Sequence, residues 1–197
     1  MKNFSSENLN PQVKKHLLAL ARNTIAYELR LTDNKIPLLE KDFEILKEKR
    51  GAFVTLELNG NLRGCIGNIY AIYPLETAIY KNSLSAAFDD PRFAPLAKDE
   101  FKNVKIEISV LTVPKKIKYK SAKEFLEKLT PLKDGVVIEK GYYSATYLPQ
   151  VWEDLQNKEQ FLSSLCIKAG LPSDEWKKGE LEVFTYQAEV FKESDFE

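Results

Sequence analysis

The sequence predicts an α+β fold with mostly antiparallel pairing, and three observations carry that prediction. Short runs of alternating apolar and polar residues recur along the chain, as in 52–58, 104–113 and 182–191. The dipeptide Asn59-Gly60 falls directly after the first run, and it is the strongest short hairpin signal. No regular β-α-β rhythm connects the strands, which argues against a parallel sheet.

In chain order, 11–31 reads as the first helix, with Val13, Leu17, Leu20, Thr24, Tyr27 and Leu31 on one stripe, widened by Leu18, Ala21, Ile25 and Leu29. His16, the single histidine, lies at the edge of that stripe as a partly exposed flank residue. Residues 34–37 break the pattern, and 40–50 reads as a short charged helix leading into the strand 52–58. The segment 62–70 is the partner of that strand in the hairpin. Pro74 suits the first position of a helix over 74–88, and Glu76 complements its dipole. Pro91 disfavours helical geometry at Asp90 and ends it. After the strand 104–113, the basic run 114–120 reads as a solvated sheet edge kept from aggregating by lysines. Ser121 and Glu124 form a capping pair for a short helix, and 136–148 reads as an aromatic-rich hairpin turning near Lys140-Gly141. A helical piece starts at Pro149. Asn157 caps a helix over 158–169 that buries Cys166 and ends at Gly170. The strand 182–191 closes the chain, with Phe184, Tyr186, Ala188 and Val190 facing inward.

Composition narrows the function classes. A chain of 197 residues with 44% hydrophobic and 29% charged residues is that of an ordinary globular protein. Lys plus Arg and Asp plus Glu are both 29, so no net field would hold it on nucleic acid or anionic lipid. Residues 1–10 lack an apolar signal region and no run of about 18 apolar residues occurs, which reads as cytoplasmic with no membrane role. One histidine and two distant cysteines do not make a zinc site, and neither a phosphate loop nor a dinucleotide fingerprint is present. No metal and no cofactor is predicted.

The stretch Asn61-Leu-Arg-Gly-Cys-Ile-Gly67 concentrates unusual chemistry. Alternation places Leu62, Gly64 and Ile66 on one face and Arg63, Cys65 and Gly67 on the other. Glycines at 60, 64 and 67 mark a turn, a bulge or a close approach of another group to the backbone. A cation beside a thiol raises its thiolate population. Only five arginines stand against 24 lysines, and Arg63 and Arg92 both fall in punctuated motifs where a planar fork suits carboxylate or phosphate. The plainer reading of Arg92 is that it braces the Asp89-Asp90 loop. Glu107, on the outer face of the strand 104–113, is placed to share a cleft with Arg63.

The hexamer Leu62-Arg63-Gly64-Cys65-Ile66-Gly67 resembles the signature of the AMMECR1 family. So do Arg50-Gly51-Ala52-Phe53-Val54-Thr55-Leu56 before it and, after it and in order, Asp90-Pro91-Arg92-Phe93, Ile108-Ser109-Val110-Leu111, Leu148-Pro149-Gln150-Val151 and Lys168-Ala169-Gly170-Leu171. The resemblance covers essentially the whole chain. It departs at Asn82-Ser83, where relatives carry small apolar residues. It implies one AMMECR1 domain spanning 1–197, built as two lobes with the 61–67 motif near the cleft between them. It also implies association with a Memo-like protein and a radical-SAM protein in a modification or redox pathway.

Residue reading and resemblance together nominate Leu62, Arg63, Gly64, Cys65, Ile66, Gly67, Asp90, Arg92, Ser109 and Gln150 as ligand-binding positions. Three readings stay open. In the binding or scaffold reading, a groove around Arg63 and Cys65 takes a protein or a small anionic ligand. In the enzyme reading, Cys65 is a nucleophile or thiol carrier, Arg63 and Arg92 bind an anionic group, and Glu107 or Glu57 orients them or moves a proton. In the third, the glycines and Arg63 are purely structural.

Overall fold

Two four-stranded antiparallel sheets, each backed by its own helices, organise the chain in the computed structural model, which describes residues 9–33 and 43–196. The chain divides into two compact units, residues 1–113 with 189–197, and residues 114–188.

The first unit begins with α1 (Pro11–Glu28), capped by the Asn10 side chain on the Gln12 amide at 2.8 Å. It ends before the expected residue 31 because Arg30 adopts a left-handed φ of 54° and the Leu31 amide bonds back to the Ala26 carbonyl. The expected break at 34–37 and the start of the 40–50 helix lie outside the described residues; the next described helix is the short α2 (Glu44–Lys47). Next come β1 (Ala52–Leu58), β2 (Asn61–Asn68), α3 (Leu75–Phe88), α4 (Lys98–Phe101) and β3 (Val104–Leu111). The Asn59-Gly60 turn has both residues at positive φ, 54° and 77°, as a tight type I′ hairpin requires. Even-numbered residues of β1 and β3, Val54, Leu56, Ile106 and Ile108, are fully buried with Leu17, Leu20 and Ile25 of α1 and Ile79 of α3. Each such side chain contributes roughly 1.5–3 kcal/mol by leaving water.

The second unit holds β4 (Lys115–Ile117), α5 (Ala122–Lys128), β5 (Gly135–Lys140), β6 (Tyr143–Tyr147), a 3-10 helix (Pro149–Glu153), α6 (Lys158–Lys168) and β7 (Glu182–Tyr186). Its sheet order is β4-β7-β5-β6, so the lysine-bearing β4 is an edge strand. The core is aromatic: Trp152 and Phe161 stack with centroids 3.6 Å apart, and Cys166 is fully buried beside them. Desolvation pushes the Cys166 thiol above its ordinary pKa.

Two expectations are corrected here. The closing strand over 182–191 is two strands: β7 in the second sheet and β8 (Ala188–Lys192), which joins the first sheet in the order β2-β1-β3-β8. The chain changes sheets at Gln187, so its alternation restarts; Val183, Tyr186 and Phe191 are buried, while Val190 is exposed. His16 is buried rather than partly exposed, and its Nε2 sits 2.9 Å from Glu76 Oε1. Asn82 and Ser83 fit the packing as polar residues: Asn82 Nδ2 donates to the Ala52 carbonyl at 2.9 Å, and Ser83 Oγ to the Ile79 carbonyl at 2.6 Å. No helix among the described residues is long and apolar enough to cross a membrane.

Candidate functional site

The register of the β1–β2 hairpin decides where the site residues point. Glu57 pairs with Leu62 and Leu56 with Gly64, so Arg63 is an extra residue, a β-bulge. Without the bulge Arg63 would stand opposite Leu56 and enter the apolar core. With it, Gly64 takes the core-facing place, and every later residue of β2 changes face relative to an unbroken hairpin. Cys65 and Gly67 share the outer face as expected, while Arg63 is unpaired at the bulge and has no cross-strand row of its own, so strict alternation is interrupted there. Leu62, on the Glu57 row and exposed, separates from Gly64 and Ile66, which share the core-facing rows of Leu56 and Val54.

The outer face carries three cross-strand rows. Leu62, Glu57 and Lys105 form the first, Cys65, Thr55 and Glu107 the second, and Gly67, Phe53 and Ser109 the third. Thr55 Oγ1 donates to Cys65 Sγ at 3.2 Å. Glu107 shares a row with Cys65 and lies two strands, or about 10 Å, from it. Ser109 is buried. Gln150 belongs to the second unit, in the 3-10 helix Pro149–Glu153.

Two glycines fix the strand by their lack of a side chain. A Cβ on Gly64 would lie 2.1 Å from the Ala86 carbonyl oxygen, so α3 crosses directly over it. A Cβ on Gly67 would strike the Phe53 ring at 2.3 Å.

Both arginines are already paired. Arg63 Nε and Nη2 reach the two Glu100 oxygens, each at 2.9 Å, and Nη2 also donates to the Ala94 carbonyl at 2.9 Å. The fork holds the Glu100 carboxyl below its usual pKa, and Glu100 raises that of Arg63. Arg92 Nε and Nη2 embrace Asp90 at 2.9 and 2.7 Å. Asp90 is 4% exposed. Its Oδ1 also accepts the Arg92 amide, and Oδ2 the Cys65 amide at 2.8 Å, while Arg92 Nη2 reaches the Cys65 carbonyl oxygen at 3.3 Å. The Arg92 fork first, and these amides with it, hold the Asp90 carboxyl far below the usual carboxylate range. Pro91, with its fixed φ, and the bond from Asp90 to the Arg92 amide shape the turn that makes this possible. The bracing role read for Arg92 is what the geometry has, extended to the main chain of Cys65.

These contacts leave Cys65 half-buried on the outer face, with both its main-chain groups and its sulfur held. Thr55 and Glu100 were not among the nominated residues. Thr55 stands opposite Cys65 only because of the bulge, and nothing in the sequence pairs Glu100 with a residue 37 positions earlier. No group of three or more His, Cys, Asp or Glu side chains suited to a metal ion occurs among the described residues.

A family model for AMMECR1 matches residues 18–191. The chain belongs to the AMMECR1 family. Protein NEQ441 of Nanoarchaeum equitans is 43% identical over 180 residues, spanning 90% of this chain and 99% of that protein. Protein MJ0810 of Methanocaldococcus jannaschii is 38% identical over 190 residues, spanning 90% and 92%. The crystal structure of uncharacterized protein PH0010 from Pyrococcus horikoshii superposes with a TM-score of 0.84 at 38% identity, covering 94% of this chain and 93% of that one. This chain and PH0010 thus share the α+β fold along nearly the full length of both.

Proposed function

We propose that this protein is a binding or scaffold protein whose contact face is the outer face of the first sheet around Cys65, and that a protein segment occupies it. The observation that carries this reading is that both nominated guanidiniums are matched by carboxylates of the same unit, while the strand bearing Cys65 is fixed by the Asp90–Arg92 pair. A small anion would meet two guanidiniums whose charge is already compensated, with Nε and Nη2 of each engaged by Glu100 or Asp90. A partner chain needs only a rigid surface, which Leu62, Cys65, Gly67 and Thr55 offer. Leu62, exposed at the hairpin end of β2, gives that surface an apolar anchor. The family resemblance makes a Memo-like protein the partner to try, with a radical-SAM protein as the second.

The enzyme reading, with Cys65 as nucleophile or thiol carrier, has less support. A thiol nucleophile works with a base in hydrogen-bond reach. The hydroxyl of Thr55 holds that position, and the His16 imidazole is engaged by Glu76.

The test uses a Cys166→Ser protein carboxamidomethylated at Cys65 and titrated against the Memo-like protein by calorimetry. An amide group added at a contact centre should weaken binding by about tenfold or more, which is about 1.4 kcal/mol. Equal affinity for modified and unmodified protein would remove Cys65 from the contact face. No binding by either would reject this partner.

A further inference from the structure

The Cys65 main chain leads beyond ligand contact. Among the described residues β2 is an edge strand, paired only with β1. On the far side of β1, the Leu111 amide bonds the Gly51 carbonyl, so odd-numbered residues of β1 turn their main-chain groups toward β3. Phe53 and Thr55 therefore do not bond their β2 partners Gly67 and Cys65, and the N–H and C=O of both β2 residues point outward from the sheet. Such a row is a template for another strand. At Cys65 the template is filled: Asp90 Oδ2 accepts its N–H at 2.8 Å and Arg92 Nη2 donates to its C=O at 3.3 Å. A carboxylate and a guanidinium from one turn thus reproduce the acceptor and donor of a neighbouring strand.

We infer that the Asp90–Arg92 pair is a surrogate strand that closes the β2 edge against pairing with a second copy of this chain. The self-complementarity of the edge points to that partner. In a two-fold antiparallel arrangement centred on Ile66, Cys65 of one copy meets Gly67 of the other, twice, for about four hydrogen bonds. Gly67 brings no side chain to obstruct the approach. Past Cys65 toward the hairpin turn, the Arg63 bulge ends the regular edge, which makes Cys65 the position where blocking is most effective. This device stands independently of whether a partner uses the outer sheet face.

Two measurements test it. By amide exchange on the unmodified protein, the Cys65 N–H should exchange at least about tenfold more slowly than the Gly67 N–H, although both lie on the same open edge. Equal exchange at the two would overturn the surrogate strand. The variant Asp90→Ser/Arg92→Ala should then lose that protection when dilute, and at rising concentration show a light-scattering mass above that of the unmodified protein. Arg92→Ala alone, which leaves Asp90 bonded to Cys65, is the folded control should the double variant not fold. It frees only the Cys65 carbonyl and should associate more weakly than the double variant but measurably. A mass equal to that of the unmodified protein at every concentration, in whichever of the two variants gives native circular dichroism, would overturn the inference.

Discussion

The two sheets solve the same problem with different side chains. All five arginines, at 22, 30, 50, 63 and 92, lie in the first unit, and both tryptophans, at 152 and 176, lie in the second. The first sheet guards its β2 edge with a buried carboxylate and a guanidinium fork, fixed by several bonds at once. The second guards β4 with Lys115 and Lys116, both exposed, and β6 with Lys168, whose Nζ reaches the Thr146 carbonyl at 2.9 Å over the Tyr147 ring. A lysine ammonium keeps an edge soluble while remaining hydrated. A planar fork also sets the position of what it touches. The contrast teaches that the first sheet invests its edge in geometry and the second in solubility, which is what a site on β2 would need.

The largest expected effect breaks that contrast at its centre. Asp90→Ala leaves the Cys65 and Arg92 amides without their acceptor and the Arg92 fork without its partner, and should lower stability by about 4 kcal/mol. Lys168→Ala, at the corresponding edge of the second sheet, should cost well under 1 kcal/mol. Urea unfolding of both variants measures the difference; equal losses would mean that the two edges are held alike.

Next in size is a pair of glycines. A methyl group at Gly64 meets the Ala86 main-chain oxygen at 2.1 Å, whereas one at Gly135 meets the Tyr186 ring at 2.4 Å. A carbonyl inside a helix yields less readily than a ring, so Gly64→Ala should cost about 3 kcal/mol and Gly135→Ala less. Thermal unfolding that ranks them in the opposite order would show that the α3 crossing is the softer contact.

The sequence made the elements of both sheets legible and the geometry of the site only partly so. Alternation, Asn59-Gly60, the Asn157 cap and Gly170 are local signals, and each works because the chemistry lies within a few residues. The glycines around Cys65 announced a turn, a bulge or a close approach, and all three occur. Alternation could not say that Arg63 is the bulged residue, because that depends on the cost of placing a charge opposite Leu56, a tertiary matter. The partnership of Arg63 with Glu100, and the burial of His16 against Glu76, join residues 37 and 60 positions apart that no periodicity connects. The split of the closing strand at Gln187 was hidden for the same reason: the two halves look like one strand until their partners are known.

The smallest expected effect separates the units by pH. In the second unit Tyr186 is 2% exposed, with its hydroxyl 2.9 Å from Thr146 Oγ1 and donating to the Tyr147 carbonyl at 3.1 Å. Burial, the dominant cause, pushes its pKa up from 10.0 to about 12. The folded protein therefore keeps the phenolic proton after the unfolded chain has begun to lose it. The associated stability is complete below pH 10 and declines as the pH rises from 10 toward 12, by at most about 2.7 kcal/mol. The carboxylates of the first unit have the opposite sense: Asp90 and Glu100 sit low, so what they contribute is present above the ordinary carboxylate range and fades as acid is added. Trp152 and Trp176 report on the second unit alone, so their fluorescence in urea should show a midpoint that falls between pH 10 and 12. Tyr186→Phe should flatten that slope while lowering stability at neutral pH, because Thr146 and the Tyr147 carbonyl lose a partner. A midpoint in the Tyr186→Phe protein that still falls as steeply would assign the alkaline loss to another group, and with it remove the claim that the aromatic core of the second unit, rather than its lysines, sets its response to base.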